Sequence, residues 1–173
     1  MRYALLLRAV NVGGTGRLAM ADFRGVLQRL GHADVATYLQ SGNATLASDL
    51  PAGELAEQVE AALAAELGLA TTVLVRTGDE LAAVVAGNPF PEEAAQPSRL
   101  LVTFLREPLA ADLDHAAWLP DRFAVMGREV YQHYAEGMGR SRMAAGLLRG
   151  TGAVGTSRNW TTLLALAGRT AGS

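Results

Sequence analysis

Apolar positions along this chain change spacing from one segment to the next. Tyr3 to Val10 is a continuous apolar run broken only by Arg8, and Asn11-Val12-Gly13-Gly14 bounds it. That is the pattern of a buried strand ending in a turn. Met20, Phe23, Leu27 and Leu30 then recur at helical spacing, with Gly31 as the stop. Val35 to Gln40 and Ala44 to Ser48 read as two strands joined through Ser41-Gly42-Asn43, since glycine and asparagine tolerate the positive φ that hairpin turns require. Leu55, Val59, Leu63 and Leu67 form a helical stripe, and Thr72 to Val75 is a fourth strand. The order is βαββαβ, the ferredoxin-like pattern.

The second half repeats this order. Thr77 and Glu80 form a capping box that opens a helix through Leu81, Val84 and Val85. A turn-rich stretch from Asn88 to Pro97 follows, then a strand from Leu100 to Leu105 and a short helix around Leu109 to Trp118. Arg122 to Met126 and Glu129 to Tyr134 flank Gly127 as a hairpin. A helix from Ser141 to Leu148, a short strand at Ala153-Val154 and a closing helix over Thr162 to Ala167 complete the chain. The expectation is an α+β protein of two ferredoxin-like βαββαβ halves with an extra C-terminal helix. Its boundaries are 1–87 for the first half, 88–98 for a linker and 99–173 for the second. No repeat is visible between individual residues of the halves, so the duplication rests on element order.

Composition narrows the chemistry. Half of the 173 residues are hydrophobic, 18% are charged and the net charge is −2. This suits a packed core and argues against disorder and general nucleic-acid binding. There is no cysteine and no lysine: all 15 basic residues are arginine. Thiolate nucleophiles, cysteine-ligated zinc, lysine Schiff bases and the P-loop lysine are therefore excluded. No apolar run is long enough to span a bilayer, and the expected location is the cytoplasm. His32, His115 and His133 lack metal-ligand spacing, so no metal site is expected.

Three polar segments remain as candidates. Gly14-Thr15-Gly16-Arg17-Leu18-Ala19 fits a dinucleotide fingerprint between strand and helix, but the next strand ends Tyr38-Leu39-Gln40 without the acidic residue that a ribose needs. A glycine-permitted turn explains it better, although its backbone N–H groups, with Arg8 and Arg17 nearby, suit an anion. Gln40-Ser41-Gly42-Asn43 is either an ordinary hairpin turn or a cluster of amides and a hydroxyl. The first and third strands of such a fold are expected to run parallel, which places this turn and the Asn11 loop at different ends of the sheet. The third feature is a pair of Arg-flanked helix starts, one capped by Ser141 and one by Ser157 or Thr156, where helix ends and arginines favour phosphate or carboxylate.

Leu6-Leu7-Arg8-Ala9-Val10-Asn11-Val12-Gly13-Gly14 resembles the opening of a bacterial family catalogued as domain of unknown function 1697, which reads L-L-R-G-I-N-V-G-G there. Thr37 to Asn43, Asn88-Pro89-Phe90 and Thr156 to Thr162 resemble further segments of that family in the same order. The resemblance implies an α/β fold with ferredoxin-like halves and no particular activity. Together with the glycine loop it gives the candidate ligand-binding residues: Arg8, Asn11, Gly13, Gly14, Gln40, Ser41, Asn43, Arg158, Asn159 and Trp160. The favoured expectation is binding of a small anionic, nucleotide-like ligand. A self-association or protein-binding module, and a metal-independent enzyme using Arg, Asn and Tyr as electrostatic stabilisers, are the alternatives.

Overall fold

The computed structural model describes residues 1–14 and 16–172. The fold is α+β, with two four-stranded antiparallel sheets. The chain divides into two units, Met1–Ala83 with Leu166–Ser173, and Val84–Ala165.

The first unit contains β1 (Arg2–Leu7), α1 (Met20–Arg29), β2 (Ala33–Tyr38), β3 (Asn43–Ala47), α2 (Ala52–Leu67) and β4 (Val73–Thr77). Its sheet has the order β2-β3-β1-β4. Leu5 and Leu7 of β1 face a core that also takes Phe23, Val26 and Leu27 of α1 and Leu55, Val59 and Leu63 of α2. The spacing of these residues is what makes both helices amphipathic. Ala4 and Leu6, on the other face of β1, are fully buried too. α2 ends at Gly68 in the left-handed region.

α3 (Gly78–Ala86) follows β4 and crosses the division of the chain. Its expected capping box forms: Thr77 Oγ1 accepts from the Glu80 N–H at 3.1 Å, and Glu80 Oε2 accepts from the Thr77 N–H at 2.8 Å. The second unit contains β5 (Leu100–Leu105), β6 (Arg122–Met126), β7 (Glu129–His133), α4 (Arg142–Gly146) and β8 (Gly155–Asn159). α5 (Trp160–Thr170) closes the chain. The stretch expected as a helix around Leu109 to Trp118 is irregular except for a 3-10 turn at Ala116–Trp118. Leu109, Leu113 and Trp118 still pack on the core, so their spacing imitates a helix without requiring one. Asp114 instead accepts the Ala116 N–H at 2.9 Å, a local turn that competes with helix.

The second sheet has the order β6-β7-β5-β8, which is the order of the first with each strand replaced by its counterpart. The correspondence extends to single residues. In one unit Leu7 N–H bonds Gly42 O and Arg8 N–H bonds Thr72 O; in the other Leu105 N–H bonds Arg128 O and Arg106 N–H bonds Val154 O. Ala4 pairs with Arg76 across β1 and β4, and Val102 with Arg158 across β5 and β8. Both arginines are buried, and each donates to the carbonyl of the residue before it. The repeat that the sequence hides is thus explicit in the register.

Candidate functional site

β3 is antiparallel to both β1 and β2, so β1 and β2 end on the same side of the sheet. This corrects the expectation that the Asn11 loop and the Ser41 turn lie at opposite ends, which assumed parallel first and third strands. Asn11 Nδ2 donates to Gln40 O at 2.7 Å and to Leu18 O at 2.9 Å. Its Oδ1 accepts from the Leu18 N–H at 2.8 Å, and its own N–H bonds Gly16 O at 3.0 Å. One side chain therefore fastens both ends of the glycine loop and the β2–β3 turn.

The backbone here is unusual. Ala9, Asn11 and Leu39 have positive φ of 53°, 55° and 56°, a region that costs residues with a side chain about 1–3 kcal/mol. Gly16, at φ 61°, leaves room for Ala9 O, which a Cβ would approach to 2.8 Å. Gly42, at φ 80°, packs against Val10, and a Cβ there would come within 2.4 Å of Val10 Cγ2. Gly13 and Gly14 adopt φ of 60° and 78° with open space around them. Thr15, within the expected fingerprint, lies outside the described residues. Beneath the turn, the fully buried Asn43 donates through Nδ2 to Tyr38 O and to Ser41 Oγ, both at 2.9 Å.

Asn11, Gly14, Arg17, Leu18, Ala19 and Gln40 line a depression of about 430 Å³. Arg17 and Gln40 are exposed on it. Ala19 is the N-cap of α1, and no side chain caps that helix, so its first-turn N–H groups carry the positive end of the helix dipole at the cavity wall. Asp22 is the acid of this first turn. Val12 and Leu39, 61% and 54% exposed, adjoin the bonded pair Asn11 and Gln40 in the chain. Arg8 is exposed where β1 leaves the sheet, and its carbonyl accepts from Thr71 Oγ1 at 2.7 Å. Arg8, Asn11, Gly13, Gly14, Gln40 and Ser41 thus all belong to the loops at this one end, and Asn43 is the first residue of β3 beneath them. Leu18 and Ala19 line the cavity as well; the sequence places them only within the glycine fingerprint, because their role comes from bonding to Asn11 and from capping geometry.

Arg158, Asn159 and Trp160 belong to the second unit. Arg158 is 6% exposed and donates to Thr156 Oγ1 at 2.6 Å and Ser157 O at 2.9 Å. Burial lowers its pKa to about 10, still well above neutrality. Thr156 and Ser157 lie in β8, so neither caps α5; Asn159 does, its Oδ1 accepting the Thr162 N–H at 2.9 Å. Trp160 is a core residue. At the other Arg-flanked start, Ser141 caps α4 as expected, accepting from the Met143 and Ala144 N–H groups and donating to Asp121 Oδ2 at 2.6 Å. Arg142 donates to Ala117 O at 3.2 Å.

Burial, aided by Glu129, pushes the Tyr131 phenol up to about 12; burial, aided by Asp121, does the same for Tyr134. His133 Nδ1 is buried with no hydrogen-bond partner, and burial holds the imidazole below its ordinary pKa. For Glu93, burial acts upward, but its backbone hydrogen bond and the Arg122 ion pair outweigh it and keep the carboxyl low. Among the described residues, no group of His, Asp and Glu is placed to hold a metal ion.

A family model described as "Protein of unknown function (DUF1697)" matches residues 1–131. The structure is similar to that of a conserved bacterial protein from Streptococcus pneumoniae, with a TM-score of 0.75 and 22% identity over 98% of each chain. That likeness extends to the fold alone. No curated protein matches the chain.

Proposed function

Taking as premise that the chain belongs to the DUF1697 family, we propose that it binds a small anionic ligand, of phosphate or nucleotide type, in the depression beside the Asn11 loop. The observation that carries this reading is the exposed guanidinium of Arg17 on a cavity whose wall includes the uncapped start of α1. Helix N-termini bind anions through N–H groups that have no intrahelical partner, and arginine adds paired donors matched to phosphate oxygens. The strained residues Ala9, Asn11 and Leu39 support the same reading, because such backbone is retained where surrounding structure and function hold it. Asn11 and Asn43 act as fasteners in this account: their amides are engaged by the loops they fix.

The strand order supports reading each unit as ferredoxin-like, with the glycine loop an elaboration of the first. Among the described residues no helix is long and apolar enough to cross a membrane. Calorimetric titration with inorganic phosphate and with adenosine monophosphate tests the proposal. Arg17→Ala removes a charge-assisted contact and is expected to weaken binding about tenfold to a hundredfold. Unchanged affinity in that variant contradicts it.

A further inference from the structure

Residues 88–99 join α3 to β5 and lie against β6 and β7 of the second unit. Asn88 closes the turn that presents Phe90: its Oδ1 accepts the Phe90 N–H at 2.9 Å, and its Nδ2 donates to Phe90 O at 3.2 Å. The buried Phe90 ring then sits 6.3 Å from the His133 ring and 5.1 Å from the Arg122 guanidinium. Glu93, three residues on, pairs with Arg122. Phe90 and Glu93 thus seat the segment on the same arginine. Arg99 is fixed independently: its carbonyl accepts from the Tyr134 N–H at 2.9 Å, and its side chain donates to Ala135 O at 2.8 Å.

Arg122 and His133 are opposite residues of the β6–β7 ladder, so their side chains are neighbours on one face. His133 Nδ1 is the one buried side-chain polar atom without a hydrogen-bond partner among the described residues. In a neutral ring it is an idle acceptor. An imidazolium carries an N–H on both nitrogens, so protonation creates a buried charged donor with nothing to receive it, which costs more. Two carboxylates and two guanidiniums act on the ring: Glu93 and Asp121 attract positive charge, and Arg122 and Arg99 oppose it. Neither carboxylate is available to Nδ1. Glu93 is held by Arg122, while Asp121 accepts from the Ala135 N–H at 2.9 Å and the Ser141 hydroxyl at 2.6 Å.

We infer that residues 90–96 form an acid-released strap over β6 and β7, with His133 as its trigger. A proton on His133 sets a second cation opposite Arg122 and buries a charge without an acceptor. Lifting the strap relieves both, because water then reaches Nδ1. The ion pair that this breaks, about half exposed at Arg122, is a small loss in water. Arg99 marks the hinge, since its bonds to Tyr134 and Ala135 involve main-chain groups that mild acid does not titrate. The open form takes up its proton at the ordinary imidazole pKa and the closed form at a lower one, so falling pH favours opening.

Amide hydrogen exchange of the full chain at pH values from about 7 to 5, corrected for the intrinsic pH dependence of exchange, tests it. The Ala95 and Gln96 N–H groups bond Glu92 O and Glu93 O within the strap. Their protection is expected to fall about threefold to tenfold over that range. Both should exchange faster than the amides of β7 at every pH, the mark of local rather than global opening. His133→Phe is expected to remove the pH dependence. If that variant does not fold, Glu93→Gln weakens the seat and is expected to lower protection at Ala95 and Gln96 already at neutral pH. Level protection across the range overturns the proposal, as do strap amides that exchange only together with β7. A pH dependence that His133→Phe retains, or wild-type protection in Glu93→Gln, overturns it equally.

Discussion

Asn11 has the largest expected effect among single residues of the loop. Its side chain makes three hydrogen bonds while its backbone sits at positive φ. Asn11→Ala strands the Leu18 N–H and two carbonyls and adds strain, so chemical denaturation should show a loss of about 2–4 kcal/mol. Asn11→Gly accepts the φ and should lose less. Asp22 bears on affinity: it shares the positive end of α1 with any bound anion, so Asp22→Asn is expected to tighten phosphate binding by about twofold to fivefold. His133 sets a pH dependence. Its folded pKa lies below the ordinary 6.5, so the unfolded chain takes up the proton first as pH falls. Stability contributed by neutral His133 is complete above about 6.5 and is lost as pH drops through the lowered folded value. A His133→Phe variant should therefore show a melting temperature that falls less between pH 7 and 5 than the wild type does.

At the scale of elements, the capping box of α3 is the clearest local device. Thr77→Ala should cost about 1 kcal/mol in denaturant unfolding, because it leaves the Glu80 N–H without its acceptor. This box was legible in the sequence, as were β5, the β6–β7 hairpin around Gly127 and the amphipathic α2. Each is specified by residues close together in the chain. The irregular stretch before Trp118 was not legible, since Leu109 and Leu113 have helical spacing and only the core they meet shows otherwise. The start of α5 was misplaced for a related reason: Thr156 and Ser157 look like caps, but pairing of β8 with β5 through Thr103↔Ser157 draws them into the sheet. The duplication was hidden because register, far more than residue identity, is what the halves share; Leu7 and Leu105, Arg8 and Arg106, and Arg76 and Arg158 are among the pairs that keep both.

At the scale of the molecule, two sheets with one strand order carry different loops. After β1 the chain makes a glycine-rich loop fastened by Asn11; after β5 it makes a loop whose apolar residues fill the core. The polar residues of the first loop and of the Ser41 turn were recognisable in the sequence, but their meeting depended on strand direction, and the expectation of parallel first and third strands had it reversed. Arg158, Asn159 and Trp160 stood out equally in the sequence, and their contacts are those of a buried strand, a helix cap and a core residue. The function proposed here therefore rests on one loop of the first unit. An amide NMR titration with inorganic phosphate tests that most directly. Saturable shifts confined to Gly13, Gly14, Gly16, Arg17 and the first turn of α1, and abolished by Arg17→Ala, are expected. Shifts absent from those amides, or unchanged in Arg17→Ala, would contradict it.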